Sequence, residues 1–292
     1  MNRLRKLTEK GMLSYAIQRV VTWYPVRQPI ARAISLFRPR PASENKLPAT
    51  DKMVAELKET GITKMPQFVD AAIVKKIMEH IDGLNLRERY GAKRSFPLDA
   101  VPDGVHVGDY EISHVLRSKE IMDLVNSPLL LGVAARYLGC APTMSSITMW
   151  WSFPTTGAPK EAENYHRDVD DWKFVKFFLY LTDVDEKSGP HKYVRRSNKS
   201  WKFLFNRRFT DQEVESRFPS EDCLTITGKS GDAFMEDTYG LHKGQPPVSN
   251  RRLVLQFEYS LNPIAVYKYQ ASQIAPGKSL ADPYAVRLYL RI

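Results

Sequence analysis

The sequence predicts a mainly β body behind a helical preface. Three observations carry this. Before Pro142, apolar residues recur at helical spacing, as in "AAIVKKIMEHI" and "LLLGVAARYLG". After it the chain breaks into short runs separated by turn residues: "TMSSITMWWSF", "FVKFFLYLTDV", "PHKYVRR", "CLTIT", "DAFMED" and "RLVLQFEYSL". Aromatic residues make up 11% of the chain, and with the many Val, Ile and Thr they favour strands. Such runs close into a sandwich or a barrel.

Near the start, Leu13, Ile17, Val20, Val21 and Tyr24 form one apolar stripe, which Pro25 ends. A second basic and apolar stretch, "RQPIARAISLFRPR", follows. Residues 1–40 hold nine Lys or Arg against one Glu, so +8 of the net +10 sits there and the rest of the chain carries +2. A basic amphipathic helix either lies on an anionic membrane surface or packs on the domain or a second subunit. "PRPASENKLP" reads as a linker, which makes residues 1–47 leader and linker and 48–292 the main domain. There "KMVAELKET" is a helix ended by Gly61, and "ITKMPQFV" a strand. Asp70 is placed to cap "AAIVKKIMEHI", whose Ile73, Ile77 and Ile81 share a face. Residues 84–110 show no period and read as a long loop carrying Arg87, Arg89, Lys93 and Arg94. Ser127-Pro128 opens a buried helix. Residues 199–220 read as a helical insertion among the strands.

Two cysteines, Cys140 and Cys223, are too few for a disulfide framework or a cysteine-ligated cluster, and suit buried thiols in a reducing compartment. The nearly neutral body argues against a nucleic-acid surface. "GMLSYAIQRVV" is broken by Gln18 and Arg19 and lacks the cleavage site of a signal peptide. No run reaches the roughly 18 apolar residues of a membrane span. The expected location is cytoplasmic, with peripheral membrane contact through residues 1–40 left open. Oligomeric state is not legible.

The chemistry centres on "NYHRDVDDWKFVKFFLYLTDV". In extended chain His166 and Asp168 point the same way and Arg167 points away. "GDAFMEDTYGLHKGQPP" offers a third ligand, His242. Two histidines and a carboxylate leave open positions on a metal, as in non-haem Fe(II) oxygenases, although zinc accepts the same ligands. Ten residues beyond His242, Arg251 and Arg252 begin the run "LVLQFEY". A guanidinium there can grip a carboxylate bidentately. 2-Oxoglutarate needs both anchors, a metal for its keto-acid end and a cation for its far carboxylate. An isolated His-x-Asp is weak evidence; followed 74 residues later by a histidine, with an arginine beyond, it is far more specific.

These blocks resemble the phytanoyl-CoA dioxygenase family of iron- and 2-oxoglutarate-dependent oxygenases. The resemblance covers roughly residues 48–262, including "LKETGITKMPQFVD", "YHRDVDDWKFVKFFLYLTDVDEKSGP" and "GDAFMEDTYGLHKGQPPVSNRRLVLQFEY", and does not cover the leader. It implies a double-stranded β-helix (a cupin-like jelly roll) flanked by helices, with its core at about residues 143–262. It implies Fe(II), with 2-oxoglutarate and dioxygen as co-substrates, and His166, Asp168 and His242 as metal ligands. The oxoglutarate arginine falls on Arg252 or Arg251, with Arg252 preferred because it directly precedes the strand. The implied activity is hydroxylation of a C–H bond with decarboxylation of oxoglutarate. Halogenating relatives carry a small residue where Asp168 stands, so hydroxylation is favoured here, with desaturation and ring closure left open. Lys176 and Tyr180 share a strand face with Phe178, as candidates for the cofactor pocket or as a snorkelling lysine and a core tyrosine. Asp170 and Asp171 read as solvated or as orienting groups. His191 reads as a turn or core histidine, and His80, His106 and His114 have no partners at ligand spacing. The family's usual Pro-Gly-Ser-His turn is replaced by Arg195-Arg196-Ser197-Asn198, which adds charge near a rim and suits an anionic small molecule, such as a lipid-linked or lipopolysaccharide sugar. The rival readings are a cupin-like metal-binding module or a membrane-surface module, without oxygenase activity.

Overall fold

The computed structural model describes residues 2–41, 48–273 and 280–291. Helices α1 (Asn2–Val20), α2 (Tyr24–Leu36) and α3 (Pro48–Thr60) come first. Gly61 ends α3 at φ +88°, a left-handed conformation that glycine adopts without steric cost. Strand β1 (Ile62–Met65) and helix α4 (Ala71–Ile81) follow, then β2 (Leu86–Glu88), β3 (Ser95–Phe96) and β4 (Val107–Asp109). Helices α5 (Ile112–Val115), α6 (Lys119–Val125) and α7 (Pro128–Leu138) complete the preface. The β body comprises β5 (Thr143–Ser152), β6 (Phe174–Tyr180), β7 (His191–Val194), β8 (Cys223–Ile226), β9 (Ala233–Glu236), β10 (His242–Gly244) and β11 (Arg252–Ser260).

These strands form two antiparallel sheets. The larger has the order β1-β9-β6-β11-β5-β4-β2-β3, and the smaller the order β10-β7-β8. The architecture is the expected jelly roll with flanking helices. Its central strands are buried on both faces. On β6, Val175, Phe177 and Leu179 join a core with Leu57 of α3, Ile77 of α4 and Val133 of α7. The alternate residues, Lys176, Phe178 and Tyr180, line a cavity on the opposite face. The same alternation runs along β5, where Trp151 packs under the helices and Trp150 faces the cavity. Phe177 stacks on Phe257 at 4.6 Å and meets Phe68 edge-on at 5.7 Å.

Several expectations are corrected. Residues 84–110 are not one loop, because β2, β3 and β4 there extend the large sheet. Strands of two or three residues are too short to show a period. The 199–220 insertion holds only one five-residue helix, Asp211–Glu215, capped by Thr210 and Glu213. Asp70 stands at the N-cap of α4, but its side chain makes no capping hydrogen bond. Val74, rather than Ile73, joins Ile77 and Ile81 in the buried stripe. Most of the linker expectation falls on residues 42–47, outside the described residues.

The N-terminal helices fold against the body through polar contacts. Arg27 is buried; its Nη1 donates to the Gln18 and Val21 carbonyls at 2.7 and 3.0 Å, and its Nη2 to the Asp171 carbonyl at 2.6 Å. The expected apolar stripe packs on the domain only at its end, where Val21 meets the core, since Leu13, Ile17 and Val20 are exposed.

Phe177→Ala removes a ring from the centre of the large core and is expected to cost about 3–5 kcal/mol. Urea unfolding followed by near-UV circular dichroism measures this; a loss under about 1 kcal/mol would mean that the site collapses around the change.

Candidate metal and cosubstrate site

His166 precedes β6 and His242 begins β10, yet the two are main-chain neighbours. Each backbone N–H donates to the other's carbonyl at 3.0 Å, an isolated antiparallel bridge. Asp168 N–H donates to the Thr238 carbonyl at 2.9 Å, fixing the next turn of chain. The Nδ1 of His166 lies 2.9 Å from the Asn164 carbonyl and that of His242 lies 3.0 Å from the Gly240 carbonyl. An Nδ1–H donating to a carbonyl leaves Nε2 with its lone pair, the form in which imidazole binds a metal. His166 Nε2 is 3.5 Å from Asp168 Oδ1, and His242 Nε2 is 3.4 Å from Asp168 Oδ2. The ligating atoms of the three residues all lie within 4.8 Å of one another. Arg167, between them, points away as expected, and its guanidinium donates to the carbonyls of Phe203, Ser197 and Lys202.

The electrostatics suit a cation. Burial, then His242, pushes His166 down to about 4, so it is neutral at pH 7. Burial alone would raise the Asp168 carboxyl, but Lys176 and then His242 hold it well below the usual carboxylate range, and against its own burial His242 is in turn raised by Asp168. Lys176 Nζ lies 2.7 Å from Asp168 Oδ2, 2.8 Å from Asp170 Oδ2 and 3.4 Å from Glu258 Oε2. Lys176 thus faces the triad, and Asp170 reaches Asp168 through it.

The triad stands in the wall of a cavity of about 470 Å³. Arg252 lines the same cavity and is buried. Its Nη2 donates to Ser152 Oγ at 3.2 Å, while Nε and Nη1 have no partner among the described residues. A buried guanidinium with two free donors calls for an anion. Arg251, its neighbour, is exposed, lies over the Trp151 ring at 4.9 Å, and lines a different, smaller cavity. Strand alternation puts only one of the pair beside the triad. Tyr180 lines the cavity too, with its hydroxyl already committed: it donates to the Ile226 carbonyl at 2.7 Å and accepts from His191 N–H at 3.1 Å.

Several residues emerge only in three dimensions. His191, which lines the cavity, has Nε2 2.9 Å from Glu236 Oε1, and both are buried. Burial pushes Glu236 up to about 8 and His191 well below its ordinary range, so a protonated carboxyl donates to a neutral imidazole. His106, without a ligand-spaced partner in sequence, is buried and lies 2.8 Å from Glu163. Arg195 and Arg196, expected near a rim, pair with Asp222 and do not line the cavity. Strand periodicity could have flagged Glu236, which shares a face with Phe234, and Glu258, which shares one with Val254 and Gln256. No sequence signal marked Ser152.

A family model described as phytanoyl-CoA dioxygenase matches residues 57–253. Among solved structures, the non-haem α-ketoglutarate-dependent carbocyclase SnoK from nogalamycin biosynthesis is 19% identical, with a TM-score of 0.51 over 75% of this chain and 86% of that one. HygX from Streptomyces hygroscopicus, solved with nickel and 2-oxoglutarate bound, is 15% identical, with a TM-score of 0.52 over 76% of this chain and 90% of that one. The epimerase SnoN, solved with Fe3+, α-ketoglutarate and nogalamycin RO, is 16% identical, with a TM-score of 0.51 over 72% of this chain and 83% of that one. At these identities the likeness shows the fold. A search of curated proteins gives no match.

Glu236 sets a pH dependence. Its carboxyl titrates near its ordinary 4.5 in the unfolded chain and near 8 in the fold, so between those values the folded state holds a proton the unfolded state has lost. The contribution of this group to stability therefore falls as pH rises through that window, by up to about 1.4 kcal/mol per pH unit for a full proton. Metal-free Glu236→Gln is expected to show a flatter unfolding profile than the parent from about pH 5 to about pH 8. Parallel profiles would show that Glu236 is ionised in the fold.

Proposed function

This chain belongs to the phytanoyl-CoA dioxygenase family of non-haem iron, 2-oxoglutarate-dependent oxygenases, and from that premise we infer that His166, Asp168 and His242 hold its iron while Arg252 anchors the far carboxylate of 2-oxoglutarate. The observation that carries this reading is the convergence of three ligating groups and one unpaired buried guanidinium on a single cavity. Loaded with Fe(II), 2-oxoglutarate and dioxygen, such a site converts oxoglutarate to succinate and CO2 and places the second oxygen atom in a substrate C–H bond.

The chain's own residues do the positioning. Carbonyls of Asn164 and Gly240 orient the two imidazoles, and Lys176 holds one oxygen of Asp168. Ser152 steadies Arg252 from one side and leaves its other donors for a carboxylate. Tyr180, Phe178 and Phe234 wall the space between Arg252 and the triad, which keeps water from the reacting atoms. Asp168, a carboxylate rather than a small residue, favours hydroxylation. We read residues 48–292 as the oxygenase domain and 1–47 as an appended segment. The substrate class supported best is a polar small molecule, because the Arg89–Asp109 pair, with Arg89 stacked over Trp150 at 4.6 Å, lines the cavity with Gln245 and Gln256. The two free cysteines suit a reducing, cytoplasmic setting.

Aerobic turnover of 2-oxoglutarate to succinate with Fe(II) and ascorbate is the decisive assay. His166→Ala, Asp168→Ala and His242→Ala are each expected to lose about 100-fold or more of that turnover and to bind Fe(II) weakly by calorimetry. Wild-type rates in all three would remove the triad from the reaction.

Arg252→Met is expected to weaken 2-oxoglutarate about tenfold to a few hundredfold, as loss of a charge-assisted pair predicts. The ligand-free variant is expected to unfold no earlier than the parent, since it loses a buried charge with two unmet donors. Undiminished oxoglutarate affinity would assign the far carboxylate elsewhere.

A further inference from the structure

We propose that the two N-terminal helices form a docking face for an anionic lipid bilayer. Among the described residues, eight of the fourteen large apolar side chains left exposed lie between residues 12 and 37. A single exposed leucine means little, but this concentration in one short segment marks an interaction surface.

Helix α1 is mounted inside out. Its contacts with the protein are made by small and polar residues. Gly11 lies against Ala265, Ser14 Oγ accepts from Trp172 Nε1 at 3.2 Å, and Gln18 Nε2 donates to the Val169 carbonyl at 2.8 Å. Its apolar residues face outward, with Leu13 66% and Val20 81% exposed, and Ile17 between them. A helix that packed only to stabilise its own domain would bury the other side. Helix α2 buries Arg27, Ala31 and Ser35 and packs Ile30 and Ile34 on the core, but leaves Val26, Leu36 and, just past its end, Phe37 exposed. Trp23, at the junction, is half exposed, and tryptophan favours the headgroup level of a bilayer.

Charge selects the occupant. No Asp or Glu occurs between Lys10 and Glu44, and Arg19, Arg32 and Arg40 are exposed. An apolar face bordered by cations alone matches an anionic lipid surface. A second copy would set like charges against each other. The face also adjoins the cavity: Gly11 touches Ala265, and Tyr267, two residues on, lines the cavity wall. Combined with the oxygenase reading, on which this clause rests, docking would present the cavity mouth to molecules carried at the bilayer surface.

The test is flotation of the full chain with vesicles of phosphatidylcholine alone and of phosphatidylcholine mixed with phosphatidylglycerol. Binding to the mixed vesicles only, weakened by salt, is expected. The combined variant Leu13→Ser, Ile17→Ser, Val20→Ser is expected to lose ~tenfold or more of that binding with its unfolding midpoint unchanged. Brominated lipid is expected to quench part of the tryptophan emission, and Trp23→Phe to remove that part. The proposal is overturned by binding to neither vesicle, by equal binding to both, by undiminished binding of the combined variant, or by a dimer in light scattering that the same variant dissociates. Oxoglutarate turnover in vesicle-free buffer is measured on the same samples and is expected to match the parent, so a failed oxygenase reading would appear there and leave the lipid result standing.

Discussion

The paired main-chain hydrogen bonds between His166 and His242 are the constraint on which the site depends. They tie the segment leading into β6 to the first residue of β10, joining the two sheets at one end. Two imidazoles are thereby fixed as neighbours before any metal arrives, with ring centroids 4.2 Å apart. Each then spends its Nδ1 on a carbonyl two residues upstream in its own chain. The local sequence thus sets the rotation of each ring, and the bridge sets the distance between them. A site built this way costs little further ordering when a ligand binds, because the ordering is part of the fold.

Arg167 shows how the same segment serves stability and chemistry together. A residue between two inward groups must point outward. Here it reaches into the 197–203 loop and satisfies three carbonyls that have no strand partner. Its guanidinium lies over Tyr239 at 5.2 Å, and Arg27 of the N-terminal segment lies over the same ring at 4.3 Å. One tyrosine therefore links the irregular loop and the leader helices to the chain that carries the ligands.

What the sequence disclosed follows from range. The jelly roll, the long strands and the pairing of His166 with Asp168 were legible because period-2 alternation and the His-x-Asp spacing are local signals. The preference for Arg252 rests on its place directly before the run "LVLQFEY", and of the two arginines it is Arg252 that lines the cavity of the triad. Strands β2 to β4 were not, because two or three residues cannot display a period and their pairing is decided by β5. The exposure of Leu13, Ile17 and Val20 was not legible either. A helical apolar stripe reads the same whether it turns inward or outward; its direction is fixed by Gly11, Ser14 and Gln18, whose partners lie far along the chain. The Glu236–His191 pair spans two sheets, so neither member signals it alone.

Charge balance argues for the occupant assigned to the cavity. Lys176 is matched by Asp170, which leaves Asp168 as one formal negative charge at the triad. Glu236, pushed up to about 8, adds none at neutral pH, and burial likewise holds the Glu258 carboxyl well above its ordinary range. Elsewhere in the cavity Arg252 leaves Nε and Nη1 without a hydrogen-bond partner, and the Glu163 carboxyl that acts on it from the same wall is held by His106. A divalent cation at the triad would overshoot Asp168 by one charge, and a monoanionic ligand could balance that excess or Arg252, not both. A dianion with a carboxylate at each end can meet both, in a region where an unmatched charge costs several kcal/mol. The chain's own groups therefore ask for a dication and a dicarboxylate together, and 2-oxoglutarate is a ligand of that form.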